Sequence, residues 1–398
     1  LGKLEEKDLG QVNNYIISAD HKKMLVQQGR DYAIIDLPSG PVKIEEKLNL
    51  SGLDMWLDRK AEWAQIFSEC WRQMKDFFYA PNMHGVDWDK VRAQYEPLAR
   101  AVNHRADLTY VIGEMIGELN CGHTYVGGGD LPRVDRVKVG RLGARLERDS
   151  SGYYLVKKIL AGQNWDRSLR SPLTEVGVNV KEGEYLIAVN GQSVREVKDI
   201  YELLVNTAGK QVTLKVNSRP DEKGAREVVV VPIETENSLY YYNWVKKNTE
   251  YVAKVTGGKV AYIHVPDMGV TGLNEFVKHF YPQTDKKALI IDVRGNGGGN
   301  VSPMLVERLA RQAVMMDIAR GSVPRPDPEA LIMGPKVALI NEFSASDGDI
   351  FPYRFKRMQL GKLIGKRTWG GVVGIRGTLP LVDGGYLNKP EFATFSLE

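Results

Sequence analysis

The spacing of apolar positions changes along the chain, and each change marks a different kind of element. Residues 15–18 and 32–36 are β-rich runs, with Gly29-Arg30-Asp31 as a turn before the second. From Asp54 to Phe78 the residues Trp56, Trp63, Ile66, Phe67, Cys70, Trp71, Met74 and Phe77 recur at intervals of three and four, which predicts a helix with an aromatic core face. Asp87-Trp88-Asp89 opens a second helical stretch that reaches Val102 and is interrupted by Pro97. Asp107-Leu108-Thr109 predicts the cap of a third, over 110–119. Residues 141–147, 153–156 and 184–189 alternate with period two, and Asn190-Gly191 is a strong turn signal. A short amphipathic helix is expected over 197–206, with strands at 211–216 and 227–233. Beyond 236, unbroken apolar strands at 260–265, 288–293 and 336–340 alternate with helical stretches at 272–280, 301–311 and 346–355. Such alternation predicts crossover units around a mainly parallel sheet.

The expected architecture is therefore α+β and multidomain. Residues 1–50 are too few to bury a core of their own and read as the last strands of a larger β domain, such as a propeller. Residues 51–130 form a helical segment, 131–235 a small β domain, and 236–398 an α/β unit. The order of elements around "KEGEYLIAVNGQSV" resembles a PDZ domain, a module that captures an extended peptide by strand addition.

Charge and composition narrow the function. Lys and Arg number 54 against 50 Asp and Glu, a net of +4, which argues against a nucleic-acid-binding body. The hydrophobic fraction of 43% and charged fraction of 26% are those of a folded globular protein. No apolar run approaches the ~18 residues that span a bilayer. Cys70 and Cys121 are the only cysteines, too few for a disulfide scaffold or a multi-cysteine zinc site. No metal or organic cofactor is expected. The start, Leu1-Gly2-Lys3-Leu4-Glu5-Glu6, carries no signal pattern. A cytoplasmic location is the default expectation, with export as the alternative.

Three places carry candidate chemistry. Asp292-Val293-Arg294-Gly295-Asn296-Gly297-Gly298-Gly299-Asn300 follows one apolar strand and precedes a helix. Its glycines miss the dinucleotide spacing and no Lys-Ser/Thr pair follows, but its backbone N–H groups suit an oxyanion as well as a phosphate. Asn341-Glu342-Phe343-Ser344-Ala345-Ser346-Asp347-Gly348-Asp349 occupies the same position after the next strand. A serine at such a turn is either a nucleophile or a helix cap, and capping is favoured on this segment alone. His123 lies between a helix end and Gly127-Gly128-Gly129, and a neutral imidazole is the commonest activator of a serine hydroxyl.

Together, "ELNCGHTY", "IIDVRGNGGGN", "NEFSASDGDIFPYRFK" and "LIGKRTWGG" resemble the tricorn proteases, within the group of C-terminal processing serine peptidases. The resemblance covers most of the chain. It implies peptide hydrolysis with Ser346 as nucleophile, His123 as general base, and an oxyanion hole from the amides of Asp347 and of Gly298 or Gly299. It also implies peptide substrates, no nucleic-acid or membrane partner, and a large homo-oligomer, a hexamer in the intact protein. The Ser/Lys branch of that group would place its lysine where Gly371 stands; Lys366 and Arg367 fall at other positions. Tricorn-type enzymes use an acidic residue between the two loops to select basic side chains. Asp317, ending the apolar run Val314-Met315-Met316, is the candidate, with Asp327 and Glu329 as alternatives.

Two departures accompany the resemblance. The tricorn pattern has a serine before the histidine, where this chain has Gly122. The family also uses a glutamate in an "E-x-x-G-V-x-P-D" stretch that is not found before Leu397-Glu398, so the chain is expected to be truncated at both ends, and Glu398 is not given that role. The rival reading is a non-catalytic PDZ-containing adaptor with a degenerate peptidase core.

Overall fold

A computed structural model describes residues 6–397, so Glu398 lies outside the described residues. It divides into two compact units, 1–63 and 64–398. In the first, β1 (Asn14–Ile17), β2 (Lys23–Gln28) and β3 (Asp31–Asp36) form a three-stranded antiparallel sheet. Its small core is Met24, Val26 and Ala33. The middle strand β2 escaped the sequence reading because polar Lys23, Gln27 and Gln28 bracket its short apolar centre. Trp56, expected on the aromatic helix face, lies before the helix and is exposed.

Three helices follow: α1 (Arg59–Phe77), α2 (Trp88–Ala101) and α3 (Arg105–Gly117). Trp71 and Trp88 lock the first two together, each indole N–H donating to the other's carbonyl at 2.9 and 3.0 Å. The third helix starts earlier than expected. Its cap is His104, whose Nδ1 accepts from the Ala106 N–H at 3.1 Å, and not Asp107. The chain then turns into β4 (Tyr125–Gly128).

The β domain comprises β5 (Ala144–Arg148), β6 (Tyr154–Ile159), β7 (Tyr185–Val189), β8 (Gln192–Ser193), β9 (Val212–Asn217) and β10 (Arg226–Val230) in one sheet, ordered β10-β9-β7-β6-β5 with β8 against β7. The helix expected over 197–206 is a 3-10 turn at Ile200–Leu204, started by a reciprocal Asp199–Glu202 capping box.

The α/β unit begins with α4 (Asn237–Thr256), which has only Leu239, Val245 and Val252 buried and so left a weak apolar signal. Then come β11 (Val260–His264), α5 (Val270–Phe280), β12 (Ala288–Asp292), α6 (Ser302–Ala310), the hairpin β13 (Met315–Asp317) and β14 (Arg325–Asp327), β15 (Lys336–Ile340), α7 (Asp347–Arg357) and β16 (Gly361–Gly365). Strands β11, β12, β15 and β16 make a wholly parallel sheet in that order. Ile263, Ile291 and Ala338 pack there against Phe351 and Phe355 of α7 and Leu305 of α6. Among the described residues no helix is long and apolar enough to cross a membrane.

The last segment, β17 (Val373–Gly374), β18 (Gly385–Asn388) and β19 (Phe392–Ala393), returns to the helical segment. Strand β18 pairs antiparallel with β4, from Gly385 opposite Gly128 to Asn388 opposite Tyr125. A buried ion pair fastens this junction. Arg105 Nε lies 2.5 Å from Asp383 Oδ2, and the two side chains are 2% and 1% exposed. Asp383 also accepts from the Gly385 and Asp130 amides, and Arg105 Nη1 donates to Thr109 Oγ1. Gly129, at φ +86°, has to be glycine, since a Cβ there would sit 2.3 Å from Asp383 Oδ2.

Removing one partner of a buried pair leaves an uncompensated charge, which costs about 3–5 kcal/mol. Asp383→Ala is therefore expected to destabilise the protein by about that much in urea unfolding. Asp36→Ala, which breaks the exposed Lys23–Asp36 pair, is the control and is expected to cost under about 1 kcal/mol. Equal effects would show that the clasp is not structural.

Candidate active site

Strands β12 and β15 are neighbours in a parallel sheet, so the turns that leave their carboxyl ends emerge side by side. The first is the glycine loop and the second carries Ser346. The two touch. A Cβ on Gly298 would lie 2.6 Å from Ser346 Cβ and 2.7 Å from the Ala345 carbonyl, so only glycine admits this approach, and Gly298 takes φ +93°.

Ser346 stands just before α7 with φ 59° and ψ −122°. A non-glycine residue in that region carries roughly 1–3 kcal/mol of backbone strain, held by its surroundings. Its hydroxyl makes no capping bond. Ser344, two residues earlier, is buried and donates to the Val293 carbonyl at 2.7 Å. Neither serine caps the helix, so the capping expectation is not met. Strain without a capping bond is the local geometry of a nucleophile elbow.

The surrounding backbone is fixed by side chains. Asn296, fully buried, accepts the Gly298 N–H at 2.9 Å, donates to the Val265 carbonyl, and receives the Ala345 N–H on its own carbonyl. The Asp347 carboxylate accepts the Ser302 N–H and hydroxyl at the start of α6 and is approached by Arg354. Among the described hydrogen bonds, the N–H groups of Asp347 and Gly299 have no acceptor, while that of Gly298 is held by Asn296. Two uncommitted amides beside a strained serine, at a helix N-terminus, can stabilise an oxyanion.

His123 is brought to the same edge by the helical segment. It follows α3 in a turn closed by Thr124 Oγ1 donating to the Cys121 carbonyl, and its own φ is +64°. Its ring lies 5.9 Å from that of Trp369. The Trp369 N–H donates to the Ser344 carbonyl at 2.9 Å, which ties the histidine's neighbour to the serine turn. Burial pushes the imidazole below its ordinary value, and the Asp349 carboxylate acts in the opposite direction. The result is a half-buried, neutral imidazole. Its Nδ1 is buried without a hydrogen-bond partner, and no His123–Ser346 hydrogen bond is among those described. Gly122 supplies no side chain here, and a Cβ on it would lie 3.1 Å from the Trp369 ring.

Other candidates fall elsewhere. Lys366 is 76% exposed, pairs with Glu342 at 2.8 Å, and is held above its ordinary value by that hydrogen bond, the reverse of what a lysine base needs. Asp317 is not the buried carboxylate that selection of a basic side chain was expected to use. The apolar run before it forms an exposed two-stranded hairpin, with Arg325 opposite Asp317. Glu329 is also exposed, and its carboxylate faces Arg325 at 3.6 Å. No cluster of residues fit to hold a metal ion occurs among the described residues.

Sequence reasoning missed two supports. Asp349, in the first turn of α7, was given no role from the sequence. It is buried, and its two oxygens accept the N–H groups of Gly370 and Gly371 at 2.7 and 3.1 Å. His264 is buried beneath the glycine loop, with Nε2 3.1 Å from the Arg294 carbonyl and Nδ1 2.9 Å from the Tyr241 hydroxyl. Arg294 clamps Asp292, which also accepts from the Tyr262 hydroxyl at 2.7 Å. The only sequence signal for this network was His264 at the end of a buried strand.

Three protein families match in tandem: the tricorn protease C1 domain over residues 59–117, the tricorn protease PDZ domain over 140–235, and peptidase family S41 over 259–396. The chain is 36% identical over 393 residues to tricorn protease homolog 1 of Streptomyces coelicolor, covering 96% of this chain and 36% of that protein. It is 33% identical over 377 residues to the tricorn protease of Thermoplasma acidophilum, covering 95% and 35%. A crystal structure of the tricorn protease superposes with a TM-score of 0.88 at 31% identity, over 97% of this chain and 37% of that one. The chain thus spans about 36% of the length of the first of these relatives. With C1, PDZ and S41 segments in this order and a tricorn-like fold along nearly all of its length, the chain belongs to the tricorn protease family.

Proposed function

We propose that this chain carries the catalytic site of a serine peptidase of tricorn type. Ser346 Oγ attacks the carbonyl of a peptide bond, and His123 takes the hydroxyl proton. The amides of Asp347 and Gly299 hold the oxyanion, since that of Gly298, the other candidate, is already bound to Asn296. The protonated His123 gives its proton to the leaving amine, and water then releases the acyl group by the same route. The observation that carries the reading is Ser346 itself, strained at φ 59° and ψ −122° between two parallel-strand turns and not used as a cap. The adaptor reading has no use for that strain. The proposal extends to peptides as substrates and to a homo-hexamer for the whole protein.

With a fluorogenic peptide as substrate, Ser346→Ala is expected to abolish hydrolysis, leaving the fold intact by circular dichroism. Ser344→Ala should retain hydrolysis, although it loses a buried hydrogen bond worth about 1 kcal/mol of stability. The opposite pattern would move the nucleophile to Ser344.

His123→Ala should lower kcat by about 10²–10⁴-fold, the usual contribution of a general base. Because burial lowers the His123 pKa, the base is neutral above a midpoint lying under the ordinary histidine value. The kcat/KM profile should rise with pH through that lowered midpoint and be flat at neutrality. A limb centred well above pH 7 would contradict this. Lys366→Ala should remain active, and its loss of activity with His123→Ala tolerated would restore a Ser/Lys pair.

A further inference from the structure

Family resemblance supplies a nucleophile and a base but leaves His123 without the serine that precedes it in the family pattern. Its own turn does not replace that support, since Nδ1 is buried and unpartnered. What the structure places around the ring comes from the opposite end of the α/β unit. Trp369 follows β16, 50% exposed, with one edge against Gly122 at 3.1 Å from a Cβ position and its ring 5.9 Å from the imidazole. The Trp369 turn has two anchors. One is its N–H bond to the Ser344 carbonyl, and the other is Asp349, whose two carboxylate oxygens each take one of the next two amides. A carboxylate bound by two backbone N–H groups has little freedom to turn away from them.

We propose that Asp349 and Trp369 are positioning residues for His123. Asp349 fixes the 369–371 turn and supplies the fixed negative charge that the imidazolium meets during the reaction. Trp369 covers the ring and keeps water from it. Asp349 serves as a through-space partner, since among the described hydrogen bonds it makes none to His123. The inference rests on the reading of His123 as the base. Asp349 sits one turn into the helix that starts after Ser346, so a single helix sets both the hydroxyl and the charge that opposes the histidine.

The groups that face His123 can be named. Tyr125 is on its own segment, with ring centroids 6.3 Å apart, and Cys121 lies two residues before it. Trp369 comes from the 369–371 turn and Asp349 from α7. Of the cations near that turn, Lys366 pairs with Glu342, and Arg367 lies beside the turn itself, its Nη2 3.9 Å from a Cβ position on Gly370. Among these groups Asp349 is the one whose charge acts on the His123 ring, and it favours the protonated form.

The test is an NMR titration of the histidine C2 protons in the full chain, with His123 identified by the signal that His123→Gln removes. Asp349→Asn keeps an acceptor for Gly370 but removes the charge. It should lower the His123 midpoint by about half a pH unit or more, the scale of a nearby charge. Trp369→Ala admits water to the ring and should raise the midpoint. If Asp349→Asn fails to fold, the Trp369→Ala titration carries the test alone. An unmoved midpoint in either variant that folds would overturn the proposal. In peptide hydrolysis, Asp349→Asn should lower kcat by about tenfold or more, with KM kept and the rising limb moved to lower pH. A moved titration in a chain that hydrolyses no peptide would sink the catalytic reading and keep the positioning one. Normal hydrolysis with an unmoved titration would do the reverse.

Discussion

The close approach of Gly298 to Ser346 is the constraint on which the α/β unit is organised. Two strand-to-helix turns can meet backbone to backbone only if their strands are adjacent and parallel, and β12 and β15 are both. They can meet at this distance only if one of them has no side chain, which Gly298 provides. The contact then needs holding from beneath. Asn296 binds Val265, Gly298 and Ala345 at once, and the Asp347 carboxylate joins the starts of α6 and α7. Phe351 and Phe355 of α7 are fully buried in the apolar core, and that packing holds the helix in place against the strain at Ser346.

The histidine reaches this edge by a different route. It lies far from Ser346 in sequence, and the sheet does not carry it. Its strand β4 is paired with β18, and the Arg105–Asp383 clasp holds that pair against α3. The chain's last segment thus closes over its helical segment, and the loop before it brings Trp369 against the imidazole. A site assembled from three separated stretches is sensitive to changes at the clasp as well as at the site itself.

Much of the fold was legible in the pattern of apolar residues. The buried parallel strands announced themselves as unbroken Val, Ile and Leu runs, because strands covered on both faces have no polar alternation to hide them. Elements with weak patterns were lost: β2 with its polar ends, β16 built on Gly and Lys, and α4, which buries few residues. His123 and Ser346 were legible from their places beside turns and glycines. Their positive φ angles were not, because strain is imposed by surroundings and leaves no mark on a non-glycine residue in sequence. Asp349 and Asp383 were also hidden. A carboxylate at a helix start or in a loop reads as a solvated charge, and only the folded chain shows which amides it binds. Asp317 is the converse, an apolar neighbourhood in sequence that became an exposed hairpin.

In the proposed chemistry Ser346 is an activated nucleophile whose activation comes from His123. Treatment of the native chain with a fluorophosphonate, followed by tandem mass spectrometry, tests it most directly. One adduct is expected, on Ser346, formed by the native protein, suppressed in His123→Ala and absent after unfolding. An adduct on Ser344, or labelling of Ser346 that proceeds equally without His123, would contradict it.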